Sequence, residues 1–278
     1  MSVAMAPRSS TRNSSGTSSN RNFADLAAHS LVERLTPESI VLQPLGAVEA
    51  HGPHLPLNTD LVLAEALSAA AVAAHGDALD LWDLPALAYT KSNEHAWAPG
   101  TIWLSAQTML AVLDDLGRGI AMTAARTLVF VNGHGGNSAL LQMACRDLRL
   151  KYGLRTFLLH PWMATDEGNE LGMGIHAGHD ETSLMMHVRP DLVDISKAVR
   201  RVPEQLAQNK HVKFGGSVSF GWLSNDVDGP VEPGTLPLGV IGDPTGANAE
   251  SGARGFGRIV EAMGEQLDEV RHFDPRVR

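Results

Sequence analysis

From about Phe23 onward, short apolar runs alternate with longer stretches whose apolar positions recur at helical spacing. That alternation predicts an α/β fold, a mostly parallel sheet covered by helices. Residues 40–48 form the first strong strand candidate. Residues 61–74 follow with Leu, Val and Ala at helical spacing, and Asn58, Thr59 or Asp60 is available as the N-cap. Residues 81–89 are a second apolar segment, interrupted by Pro85, that leads into the polar loop at 90–95. A helix is predicted over 106–125, the clearest buried strand over 126–131, a helix over 138–151 and a strand over 154–160. Residues 180–186 read as the first turns of another helix. The Gly-, Pro- and Asp-rich stretch 211–244 reads as a long loop system, and 250–270 as a closing helix.

Composition narrows this picture. With 278 residues, 44% hydrophobic and 19% charged, the chain fits one large domain with a full core, at 23–278. Residues 1–22, mostly Ser, Thr, Arg and Asn, read as a disordered tail. A net charge of −9 offers no basic footprint for nucleic acid or an anionic membrane, so a small or peptidic ligand is the expected partner. The single cysteine, Cys145, excludes a disulfide framework and a Cys-rich zinc motif and fits a reducing cytoplasm; it falls in a helical pattern as a small core residue. No apolar run is long enough to cross a bilayer, so a soluble cytoplasmic protein is expected.

The chemistry gathers just past the strands. Glu49 and His51 are two residues apart, so their side chains share a direction in extended chain, and Asp60 returns from a Gly- and Pro-punctuated loop. Two carboxylates and an imidazole suit a divalent cation such as zinc, manganese or iron. His134 lies past the next buried strand, amid Gly133, Gly135 and Gly136, and ligands of open α/β sheets bind beyond such strand ends. Glu181 follows His176 by five residues, where it can face the same crevice; Asp180 suits a helix N-terminus. His54 and His95 lie in crevice loops, and Trp97 and Trp222 could wall a pocket. No dinucleotide fingerprint, phosphate-binding loop or serine-nucleophile elbow is present.

Over about 39–263, these motifs together with 44–48, 99–101 and 239–245 make the chain resemble the creatininase family of metal-dependent amidohydrolases. The resemblance implies a three-layer α/β/α sandwich, a hexameric homo-oligomer, and two divalent ions per subunit, zinc first and manganese or iron as alternatives. It implies that Glu49 and His134 bind one ion, His51 the other, that Asp60 bridges them, that Glu181 completes the second site, and that His176 transfers protons. Glu94, His95, His179 and Trp222 are the expected substrate contacts, and His54 and Trp162 are further residues that a ligand in the crevice could touch. Two departures stand out. Creatininase proper has a glutamate where this chain has Gly136, which makes Glu181 the expected replacement ligand, and many relatives have a glutamate at the place of His179. The implied reaction is hydrolysis of an amide C–N bond in a small, cyclic or formamide substrate. The alternatives are a peptidase trimming a precursor peptide, as in mycofactocin maturation, and a non-catalytic metal-binding relative.

Overall fold

The computed structural model describes residues 20–161, 174–212, 218–219, 221–224 and 237–274. Residues 1–19 of the expected tail, Trp162 and most of the 211–244 loop system lie outside them. The elements, in chain order, are α1 (Ala28–Arg34), β1 (Ile40–Leu45), α2 (Thr59–Leu79), β2 (Leu81–Asp83), α3 (Ala106–Ala121) and β3 (Thr127–Asn132). There follow α4 (Ser138–Tyr152), β4 (Arg155–Leu159), α5 (His179–Val188), the short α6 (Glu204–Ala207) and α7 (Ala249–His272).

The four strands form one parallel sheet in the order β2-β1-β3-β4. Ile40 pairs with Leu81 on one side and Thr127 on the other, and Leu45 is level with Asn132. Both faces of β1 and β3 are buried, which is why their sequences are nearly continuous apolar runs. Ile40, Leu42, Val129 and Val131 pack under α2, α5 and α7, through Leu63, Leu67, Leu184, Ile259 and Met263. Val41, Leu45, Leu128 and Phe130 face the opposite way, onto Met109 and Leu113 of α3 and Leu141 and Leu148 of α4. The result is a three-layer α/β/α sandwich.

The strand order fixes where a ligand can sit. From β1 the chain moves one way to β2 through α2, then back past β1 to β3 through α3. Crossovers of one hand put helices on opposite faces when the direction reverses, so the crevice opens beyond the carboxyl ends of β1 and β3. Those ends lead to Glu49 and His134.

Several boundaries differ from expectation for local reasons. β1 stops at Leu45 because Gly46 N–H bonds to the Leu87 carbonyl and Val48 pairs instead, antiparallel, with Ile102. β2 is only three residues long, and after Pro85 the chain returns as a lone Leu45–Leu87 bridge. α2 extends to Leu79, past the expected end at 74, and closes with Asp80 in the left-handed region. Contrary to the sequence expectation, α2 has the length and hydropathy of a membrane-crossing helix, but its Leu63, Leu67 and Ala71 are buried in the core. Residues 20–22, assigned to the tail, belong to the fold: Arg21 pairs with Asp77 and Asp80, and Asn22 caps the turn that follows.

One glycine sets the approach of strand and helix. A Cβ on Gly46 would come within 2.3 Å of the Leu61 backbone, so only glycine lets the end of β1 touch the first turn of α2 beside Asp60. Gly46→Ala is expected to cost about 1–3 kcal/mol by overpacking. Denaturant unfolding measures this, and an unchanged midpoint would show that the contact is slack.

Candidate metal centre

Four segments deliver the polar side chains. Glu49 and His51 come from the extended chain after β1, Asp60 from the first turn of α2, His134 from the turn after β3, and Glu181 from the first turn of α5. Asp60 is not the N-cap of α2; Asn58 holds that position, and the Asp60 carboxylate is free to turn inward. It lies between two imidazoles, 3.0 Å from His51 Nε2 and 3.1 Å from His134 Nδ1. His134 Nε2 is 3.3 Å from Glu49 Oε2, and Glu181 Oε1 is 3.9 Å from His51 Nε2.

Two donor triads result, Glu49–Asp60–His134 and His51–Asp60–Glu181, with Asp60 common to both. A third grouping, Glu49–His51–His176, brings His176 within the same reach. Glu49, His51, Asp60 and His134 are all buried. Yet Glu49 Oε1, His51 Nε2 and Asp60 Oδ2 have no hydrogen-bond partner although charged neighbours lie close. Close approach without hydrogen-bond alignment, among donors of this hardness, is the arrangement a divalent cation satisfies. The residues present therefore fit the group that the sequence implied.

Secondary contacts hold the rings. His51 Nδ1–H donates to the Glu49 carbonyl at 3.3 Å, which turns Nε2 toward Asp60. His176 Nε2–H donates to the Ala50 carbonyl at 2.7 Å and leaves Nδ1 facing Glu49. The Ser92 hydroxyl donates to Glu49 Oε2, and the Ala177 N–H donates to Glu181 Oε2. Ala177 adopts φ 52°, a left-handed conformation for a residue with a side chain. Glu181 thus serves as both an inward donor and a partner of the turn.

Burial makes these groups share protons. It pushes Glu49 up to about 8 and Glu181 up to about 7. Burial also opposes charge on His51, but the Asp60 carboxylate holds it up at about 10. His134 likewise stays well above its ordinary value, against burial, because Glu49 and Asp60 face it. Burial acts against Asp60 too, and the neighbouring His51 holds its carboxyl well below the usual range. His176 is driven well below its ordinary value by burial and by the cationic His51, and His95 falls to about 3 for the same two reasons.

The sequence-based substrate contacts divide. His95 and Trp222 line a partly open cavity of about 400 Å³, together with Asp60, His134, His176 and Glu181. His95 stacks on His176 at 4.3 Å between ring centres and meets Trp222 edge-on at 5.8 Å. Glu94 and His179 are not on that wall. Glu94 is buried behind His134, and His179 is buried near Gly246, while its neighbour Asp180 faces the cavity. His54 is a structural residue, bonded to Thr182 at 2.9 Å. Cys145 is partly buried and its thiol is pushed up to about 11 by burial, so it stays protonated. Sequence reasoning missed Lys91 and Ser92, which support Glu94 and Glu49; only their place in a polar crevice loop hinted at a role.

A three-layer α/β/α protein with a buried carboxylate–imidazole centre at its switch point is the class that fold and site define. Residues 24–267 match the creatininase family model, described as creatinine amidohydrolase, and the chain belongs to that family, whose members are hydrolases acting on C–N bonds. The mycofactocin precursor peptide peptidase of Mycobacterium ulcerans is 37% identical over 227 residues, 80% of this chain and 81% of that protein. The creatinine amidohydrolase of Pseudomonas putida is 32% identical over 189 residues, 60% and 70% of the two chains. A crystal structure of creatinine amidohydrolase superposes with a TM-score of 0.70 at 24% identity, covering 93% of this chain and all of that one, and matched creatininase structures include a zinc–zinc and a manganese form, each at a TM-score of 0.69.

Because His51 and His134 hold protons that a cation must displace, and Glu49 and Glu181 are raised to about 8 and about 7, metal uptake at pH 7 is expected to release more than two protons per chain and to strengthen as pH rises. Calorimetry in buffers of different ionisation enthalpy measures the release. Binding with no proton exchange would contradict the shared-proton description.

Proposed function

We propose that the chain holds two divalent ions, one at Glu49, His134 and Asp60 and one at His51, Asp60 and Glu181, and hydrolyses an amide C–N bond of a peptide. The observation that carries this is Asp60, shared between two donor triads at the head of the cavity. Zinc and manganese both suit carboxylate and imidazole donors, and both occur in the matched creatininases. Support for a peptide comes from the relatives at 37% and 33% identity, both named mycofactocin precursor peptide peptidases, and from a cavity only partly closed. A small cyclic amide is the second reading, favoured by the creatinine amidohydrolase relative.

When bound, the ions supply a water of lowered pKa and polarise the scissile carbonyl. The chain's own residues do the rest. His176 is neutral and lines the cavity, with Nε2–H committed to Ala50 and the Nδ1 lone pair toward the Glu49 side of the centre. Nδ1 accepts the proton lost by the attacking water and returns it to the departing nitrogen, which cannot leave as an anion. His95, stacked on His176, keeps that ring in place, and with Trp222 it shields the reacting atoms from solvent.

His176→Ala is expected to lower kcat by about 10²–10⁴ while the metal content stays at the wild-type level. Steady-state kinetics on a precursor peptide and on small cyclic amides, with elemental analysis of the same samples, tests this. Metal loss in parallel with activity would make His176 a ligand instead. Asp60→Asn is expected to empty both sites, and retention of either ion would sink the shared-ligand assignment.

A further inference from the structure

Glu94 stands in the short turn Asn93–His95, its side chain 7% exposed, behind the metal donors. Oε1 lies 3.1 Å from His134 Nε2, and Oε2 lies 3.1 Å from Lys91 Nζ. The other nitrogen of the same ring, Nδ1, faces Asp60. Glu49 Oε2 also approaches Nε2, at 3.3 Å, but it already accepts the Ser92 hydroxyl. The Lys91 carbonyl, 3.0 Å from Nε2, can share the proton with Glu94. The two ring nitrogens are therefore divided, one toward the donors of the centre and one toward a carboxylate paired with lysine.

The space for that carboxylate comes from Gly136. A Cβ at 136 would lie 1.6 Å from Glu94 Oε1 and 2.5 Å from His134 Nε2. Any side chain there would displace Glu94 from the ring.

We propose that Glu94 is a positioning residue: its carboxylate accepts the Nε2–H of His134, fixes the tautomer with the Nδ1 lone pair toward Asp60, and so strengthens binding of the ion held by Glu49, Asp60 and His134. This rests on the two-ion proposal above. Carboxylates in this outer position typically change metal affinity by about 10–100-fold. Lys91 Nζ, on Oε2, holds Glu94 in its aim, and Gly136 keeps its place open.

The test titrates metal-free full-length protein with zinc and with manganese against a chromophoric chelator at fixed pH. Glu94→Ala is expected to weaken one of the two ions about 10–100-fold and to move the His134 imidazole ¹⁵N shifts. Glu94→Gln keeps an acceptor oxygen and should recover part of the loss; it also serves if the alanine variant fails to fold. Gly136→Ala should weaken the same ion. Wild-type affinity in the folded Glu94→Ala protein, or in Glu94→Gln where that variant must stand in, would overturn the positioning role. Wild-type protein that takes up no divalent ion would overturn the metal reading itself, before any variant is made.

Discussion

Everything at the head of this sheet depends on burying Asp60 between two imidazoles. An ionised carboxylate out of water costs several kcal/mol unless it is paired and bonded. Glu49 and Glu181 crowd around it, which adds repulsion to desolvation. The chain manages this with protons held on His51 and His134, donors from Ser92 and Ala177, and the Lys91 ammonium behind Glu94. Protons and divalent cations are alternative occupants of the same negative hole, so the centre is built as an exchange site rather than a fixed salt bridge.

The fold makes that crowding possible. The donors converge from four segments on the β1 and β3 ends, where the reversal of strand order opens a crevice that no crossover helix covers. Gly46 lets α2 begin against the strand end, so Asp60 arrives within reach of a residue eleven positions earlier. His176 is tied in from the far side by its backbone pairing with Ile241, which also anchors the chain just before α7.

Much of this was legible in the sequence because the signals are local. Apolar runs marked β1 and β3, and the spacing of Glu49, His51 and Asp60 after β1 marked side chains that the structure brings together. What sequence could not separate was depth. Glu94 and His179 sit in the same loops as cavity-facing neighbours, and nothing in their residue types says that Glu94 lies behind His134 or that Asp180, rather than His179, turns outward. The replacement for a carboxylate at 136 was expected from Glu181. The structure keeps Glu181 beside His51 and Asp60, and it also puts Glu94 in the space above Gly136, a pairing across 42 residues that no spacing rule reaches.

The His176–Ile241 pairing has a consequence for the order of assembly. Glu49, His51 and Asp60 can meet as soon as the first strand and helix form, since they lie within a dozen residues. His134 requires the third strand, and His176 and Glu181 require the last third of the chain to fold back and pack α5 under α7. The centre therefore draws on both local and long-distance contacts, and its last members depend on the long-distance ones. A chain emerging from the ribosome would carry half a chelating site long before it carried a working one, and only the finished protein would close it.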